Sequence, residues 1–218
     1  MRNVFGLDSP IMNVLGRITD FIILNLIFLI TCIPIVTIGP ALTALYSVTL
    51  KMVKNEESYV FKGYFKAFKA NFKISILGWL ILLTAMIILV VDYRLTTAGI
   101  IDLGGILPII FLMLMFICSI VIMVFFPYVA RFEGTLKVSF KNSFIIAVAS
   151  LPWTITLAAL TGVIIGVSVF FIPLHYVLLI WFFFGFALLA YLQSFIFRKI
   201  FVKYEPKKEE AIAELTEN

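Results

Sequence analysis

Charge, histidine and cysteine are all scarce in this chain of 218 residues, and the shortage of charge already excludes an ordinary soluble domain. Charged residues make up 13% of the sequence and hydrophobic residues 63%, whereas a typical soluble domain has roughly 25% charged and about 45–50% apolar residues. A soluble fold of this size could not hide so much apolar surface, because much of any folded surface must face water. The composition therefore predicts an integral membrane protein whose main partner is the lipid bilayer.

The shortage of histidine and cysteine argues against metal and thiol chemistry. His175 is the only histidine, and Cys32 and Cys118 both lie within apolar runs, so no zinc-site spacing exists. We interpret the two cysteines as small buried hydrophobic residues. The phosphate-binding, nucleophile-elbow and zinc-protease motifs are missing as well. We predict no catalytic, cofactor-binding or metal-binding residues and no enzyme activity.

The apolar runs are continuous rather than alternating, which indicates membrane helices instead of a strand barrel. About 20 residues are needed to cross roughly 30 Å of hydrocarbon. Four segments meet that length: 74–91, 106–130, 145–172 and 174–197. The last two are separated by a tight turn at Pro173. We predict an all-α, polytopic transmembrane helix bundle with short amphipathic cytoplasmic helices.

The apolar stretch 18–50 allows two interpretations, because Pro34, Gly39 and Pro40 interrupt it. As a single straight helix it would measure about 50 Å, which is too long for one span. Either one broken helix crosses once, which gives five membrane helices, or 18–33 and 40–53 form a hairpin, which gives six. The Pro34, Gly39 and Pro40 break is predicted to be a turn or kink, with an ion or substrate site as the alternative.

Basic residues favour the hairpin, because lysine and arginine accumulate on the cytoplasmic side of membrane proteins. The hairpin places 16 of the 17 basic residues inside, and the single crossing places 14 inside. We therefore predict six membrane helices with both termini cytoplasmic, a transmembrane domain over 1–203 and a short cytoplasmic tail over 204–218. The net charge of +5 is explained by lipid headgroups, and no nucleic-acid partner is expected.

A pattern of phenylalanine and lysine occurs twice in the predicted cytoplasmic loops. Residues 61–73 and 132–145 share F-x-G-x-[FL]-K followed by F-K-x-x-F, with one inserted residue. The first copy, termed the arm, carries an apolar stripe and a flanking row of lysines: Phe61, Phe65, Phe68, Phe72, Lys62, Lys66, Lys69 and Lys73. This spacing is typical of an amphipathic helix lying on the membrane surface. The alternative is a docking arm for a protein partner.

Two further features concern the membrane helices themselves. Ala158, Gly162 and Gly166 recur at intervals of four, which lets helix backbones approach closely. Packing within the chain is the first interpretation, and the face of a homo-oligomer is the second. Asn25, Thr31 and Thr37 are the only candidates for a polar path, and Asn25 could equally join two helices.

The run from Phe5 to Pro10, the segment Ile33-Pro34-Ile35-Val36-Thr37-Ile38-Gly39-Pro40-Ala41, and the stretch from Ala44 through the arm resemble the YesL-like family of bacterial membrane proteins. The resemblance implies a domain of unknown function from the cell membrane of Gram-positive bacteria. Genes of that family often lie beside those for carbohydrate uptake. It therefore implies an accessory component of an ABC-type carbohydrate uptake system, with permease subunits as candidate partners. A small-solute transporter or channel is the alternative.

Overall fold

The chain forms a bundle of α-helices, and the computed structural model describes residues 10–56, 59–99 and 105–205. No strand occurs among these residues. The predicted tail beyond Glu205 and the family-like run from Phe5 to Ser9 lie outside them. In chain order the helices are α1 (Pro10–Thr31), α2 (Ile38–Val53), α3 (Val60–Thr97), α4 (Leu107–Arg131), α5 (Leu136–Ala149), α6 (Leu151–Phe171), α7 (Leu174–Ile180) and α8 (Phe186–Phe201).

The six predicted membrane helices are confirmed by length and composition. They are α1, α2, α3, α4, α6 and the continuous helix formed by α7, a π-helical segment (Trp181–Gly185) and α8. The first two form the predicted hairpin, since the Arg17 guanidinium near the start of α1 donates to Asn55 Oδ1 just after α2, at 3.1 Å. The five-helix alternative is therefore wrong.

The break between α1 and α2 lies earlier than the three predicted residues suggest. α1 ends at Thr31, a single 3-10 turn covers Ile35–Thr37, and α2 already includes Gly39 and Pro40. Pro40 is tolerated there because the first N–H groups of a helix have no partner within it. Gly39 has a different role, since a Cβ atom at this position would lie 2.5 Å from the Ser75 carbonyl oxygen and from Trp79 Cβ. The glycine therefore permits close contact between α2 and α3.

The arm is not a separate short helix. Residues 61–73 form the first part of α3, which continues unbroken to Thr97. The helix can continue because this sequence contains no proline and no two adjacent glycines. The second copy of the pattern does form a short helix. α5 begins after residues 132–135, which are not helical, and ends at Ala149, because Pro152 has no N–H to continue the helical hydrogen bonding.

The two copies nevertheless bury the same face of their helices. Residues 72 positions apart are buried in pairs: Ala67 and Ser139, Ser75 and Ala147, Gly78 and Ser150, and Leu82 and Thr154. The shared register supports the internal repeat that the sequence suggested. In the first copy the Phe125 ring of α4 packs directly against Gly78. A Cβ atom at this position would lie 2.4 Å from that ring, so only glycine allows the contact.

The buried core lies toward one end of the bundle, termed the basic end, where α2, α4 and α8 end and α3 begins. α2 contributes most to it, with twelve buried residues. Along α3 the last buried residue is Leu82, and along α4 the first is Val124. The described residues of 83–123 and 158–186 include no buried residue. Helices α3, α4, α6 and α7 therefore extend beyond the packed core.

Candidate functional site

Nearly all the basic side chains that the structure describes lie at the basic end. Arg94, near the end of α3, is the exception among them. The others are Arg17, Lys51, Lys54, Lys62, Lys66, Lys69, Lys73, Arg131, Lys137, Lys141, Arg198, Lys199 and Lys203. This clustering makes the basic end the first candidate for a functional surface.

An open groove lies at this end between α1, the end of α2 and the start of α3. Its volume is about 800 Å³. The walls carry both charged and aromatic groups, including Arg17, Asp20, Lys51, Phe21, Tyr59 and Tyr191. Phe21 and Tyr191 meet edge to face with ring centroids 5.1 Å apart, which fixes the inner wall. Such a surface can contact an amphipathic segment through rings and charges together.

Beside the groove, one carboxylate joins three helices. Glu205 accepts from Arg131 at the end of α4, with Nε and Nη2 each 2.8 Å from Oε1. The same oxygen lies 3.6 Å from Lys54 Nζ, just after α2, and Arg198 on α8 donates to the Val53 carbonyl at 3.1 Å. We call these four side chains the charged cluster. Sequence reasoning missed it, since nothing local marks Glu205 among the basic residues around it.

The arm divides into an inward and an outward face. Tyr64 is fully buried and Ala67 is nearly so. Phe65 and Phe68 are half-buried against the core, and the Phe68 ring lies 6.2 Å from that of Tyr64. Phe61 and Phe72 are exposed, as are the four predicted lysines: Lys62, Lys66, Lys69 and Lys73. The predicted phenylalanine stripe is therefore split, and only its two ends are free.

The three polar residues proposed as a path are all hydrogen-bonded within the bundle. Asn25 is fully buried on α1. It donates to the carbonyls of Trp181 and Phe182 at 3.0 and 2.7 Å and accepts from the Ala187 N–H at 3.0 Å. It thus joins α1 to the backbone of the π-helical segment and to the first turn of α8. The interpretation of Asn25 as a link between two helices is confirmed.

Thr31 and Thr37 serve the break between α1 and α2 in a similar manner. Thr31 Oγ1 lies 2.6 Å from the Tyr64 hydroxyl. Thr37 Oγ1 donates to the carbonyls of Thr31 and Pro34, each at 2.7 Å. These bonds stabilise a turn, and the break has the turn structure that the sequence favoured.

Sequence reasoning also missed a line of polar contacts between α2, α6 and α8. Tyr46 donates to the Gln193 side chain, which in turn donates to Thr161 Oγ1 at 2.8 Å. One helical turn further along α2, the hydroxyl oxygens of Thr49 and Ser194 lie 2.8 Å apart. Two adjacent polar residues, Gln193 and Ser194, in an otherwise apolar span were the sequence signal that could have predicted these contacts. Among the described residues, Ser143 Oγ is the buried side-chain polar atom without a hydrogen bond.

The predicted packing residues on α6 do not contact the rest of the chain as expected. A Cβ atom added at Gly162 or Gly166 would meet nothing within 4 Å. The stripe that begins at Ala158 is therefore open toward its far end, because α6 is packed mainly near its start, at Thr154 and Leu157. Cys32 and Cys118 are both free thiols, and the described residues contain no group of three or more His, Cys, Asp or Glu that could hold a metal ion.

Comparison with protein families links part of this structure to known sequences. Residues 21–93, from the middle of α1 through most of α3, match a family described as protein of unknown function, DUF624. YesL-like proteins belong to that family, so the resemblance noted from the sequence is confirmed over this segment. No curated protein and no solved structure matches the chain. The matched segment includes the α1–α2 break, the arm and much of the groove.

Proposed function

We propose that this chain is a non-enzymatic accessory membrane protein that binds a partner protein through the arm and the groove at its basic end. The observation that carries the proposal is the continuity of the arm with a spanning helix. α3 has 38 residues and a length of about 57 Å, well beyond the roughly 30 Å of hydrocarbon. The arm therefore begins outside the hydrocarbon, as a continuation of the spanning helix, instead of lying flat on the membrane.

The projecting arm presents groups suited to a protein surface. Phe61 is 58% exposed and Tyr59, just before it, is 83% exposed, and both line the groove. Lys62 lies over the Tyr59 ring at 5.6 Å. Exposed aromatic residues beside cations are common anchors of protein interfaces. Since the inward face of the arm is packed on the core, the helix backbone that presents Phe61 and Lys62 is held in place before any partner binds.

The partner class follows from the family resemblance, which implies an association with ABC-type carbohydrate uptake. Permease subunits of such a system share the same membrane, so an arm at the membrane surface can reach their loops. An acidic or amphipathic loop would complement the arm, because its exposed lysines carry charges of one sign. Lipid contact remains part of this proposal for the apolar part of α3.

The proposal is tested by crosslinking in native membranes. A photoreactive amino acid replaces Tyr59 or Phe61, and a matched control replaces Leu174, which is 73% exposed at the opposite end. Crosslinked products are isolated through a tag and identified by mass spectrometry. We expect permease or solute-binding subunits with the first two probes and none with the third. Equal products from all three positions, or lipid adducts alone, would contradict the proposal.

The same proposal places the basic end in the cytoplasm of a bacterial cell. The asymmetry of lysine and arginine supports this orientation. Reporter domains fused to the N-terminus and the C-terminus test it: a fluorescent protein that folds only inside the cell should be active at both ends, and an externally active phosphatase at neither.

The transporter or channel alternative requires a polar path. Asn25, Thr31 and Thr37 use their hydrogen-bonding groups within the bundle, so none of them favours it. Solute flux into liposomes that contain only the purified protein would support this alternative. Impermeable liposomes together with permease crosslinks at Tyr59 would contradict the transporter alternative and support the accessory function.

A further inference from the structure

The turn between α1 and α2 lies at an unusual level relative to the other helices. On α3, the apolar surface extends from Ile74, after Lys73, to Val91, before Asp92. The distance from Lys73 to Asp92 is about 28 Å, close to the thickness of the hydrocarbon. The turn contacts α3 at Trp79, whose indole N–H donates to the Ile35 carbonyl at 2.8 Å. Trp79 is only about 9 Å beyond Lys73 and about 20 Å short of Asp92.

The contacts of α2 with α8 give the same result independently. Tyr46 on α2 bonds to Gln193, and Gln193 lies about 28 Å from Leu174, where the last membrane helix begins at the opposite end. From Tyr46 to Ile38, its first residue, α2 rises by only about 12 Å. The turn thus ends about 16 Å below Leu174. Two separate helices place it well short of the far surface.

The turn has the surface of a segment immersed in lipid. Ile33, Ile35 and Val36 are 76%, 65% and 46% exposed, whereas a turn in water is normally polar. Three of its backbone carbonyls accept hydrogen bonds from side chains of the chain itself, which lowers the cost of placing them in lipid. Thr37 bonds the carbonyls of Thr31 and Pro34, and Trp79 bonds that of Ile35.

We propose that α1 and α2 form a re-entrant hairpin, which enters and leaves the bilayer at the basic end and turns within the hydrocarbon. Four helices then cross completely: α3, α4, α6 and the α7–α8 helix. Acyl chains of the leaflet far from the basic end then cover the turn. These chains contact Ile33, Ile35 and Val36. This inference does not depend on the proposed accessory function.

Two observations oppose a hairpin that crosses fully. If the turn stood at the far surface, the exposed lysines of the arm from Lys62 to Lys73 would be moved into hydrocarbon, where ammonium groups are costly. A fully inserted hairpin would also give the four crossing helices a core along their whole length. Instead, the described residues of 83–123 and 158–186 are all unburied.

The test uses cysteine labelling with a membrane-impermeant maleimide applied to sealed vesicles of either orientation. Ile33→Cys and Val36→Cys are introduced after Cys32→Ala and Cys118→Ala. Leu174→Cys reports the far surface and Tyr59→Cys the basic end. Native Cys32, in a chain carrying only Cys118→Ala, serves as a third probe of the turn that needs no substitution there.

We expect the turn cysteines to react at least about tenfold more slowly than the controls from either side, and fully after denaturation. Labelling of Ile33→Cys from the side that labels Leu174→Cys would show a complete crossing and overturn the proposal. Rapid labelling from the side that labels Tyr59→Cys would place the turn in water and overturn it as well. A spin label at Val36→Cys should be relaxed by oxygen and not by a water-soluble nickel complex, and the reverse would again contradict the inference.

Discussion

Replacing Asn25 by alanine should destabilise the bundle more than replacing a polar residue that makes a single side-chain hydrogen bond. The Asn25 amide makes three hydrogen bonds to the backbone of the last membrane helix. Hydrogen bonds between membrane helices contribute on average about 0.6 kcal/mol each and at most about 1.7. Losing three of them, with the desolvated groups around Asn25 left without its amide, should lower the free energy of unfolding by about 2 to 5 kcal/mol.

The free energy of unfolding can be measured by reversible denaturation in mixed micelles or by steric trapping in bicelles. Asn142→Ala provides the matched control, because Asn142 makes one side-chain bond, to the Tyr128 hydroxyl at 2.8 Å. It should cost about 0.5 to 1.5 kcal/mol. A loss for Asn25→Ala no greater than that for Asn142→Ala would refute the assignment of Asn25 as the partner of the π-helical segment.

Two further substitutions probe other contacts of the bundle. Gly39→Ala should cost about 1 to 3 kcal/mol in the same unfolding assay, because the new methyl group would lie 2.5 Å from α3. Gly162→Ala is its control, since that site is open and alanine favours the helix by up to about 1 kcal/mol; equal effects at the two sites would contradict the α2–α3 contact. Glu205→Gln should cost about 1 kcal/mol or less, because the charged cluster is partly exposed, and the difference should shrink in molar salt. A large loss that persists at high salt would show that Glu205 acts through packing instead of charge.

Hydropathy predicted the class and number of the membrane helices, because lipid exposure demands long apolar runs. The spans around 106–130 and 174–197 agree closely with α4 and with the helix from Leu174 to Phe201. The same runs could not reveal that Asn25 bonds to the backbone of Trp181, since the partner lies far along the sequence. Glu205 was equally hidden, because the charged cluster exists only where the ends of α2, α4 and α8 meet.

The arm shows why periodicity alone leaves the orientation of an amphipathic segment open. Its phenylalanines and lysines fit a helix on the membrane surface and a helix projecting from it equally well. The connection to the next segment distinguishes the two arrangements: the arm continues into a spanning helix, whereas Ser150 separates the second copy, α5, from α6.

Hydropathy indicates whether a segment is apolar enough to lie in the bilayer, but it does not indicate how deeply the segment enters the bilayer. α1 and α2 are each long and apolar enough to be candidate spans, but their partners on α3 and α8 set the depth of the turn between them. A tip that stops within the hydrocarbon needs hydrogen bonds to its backbone, and Thr37 and Trp79 donate to three of its carbonyls, those of Thr31, Pro34 and Ile35. The hairpin also supplies α2, whose buried residues join α3, α4 and α8 near the basic end. The same insertion therefore explains the core at one end of the bundle and its absence at the other, and it mounts the arm on the most tightly packed part of the molecule.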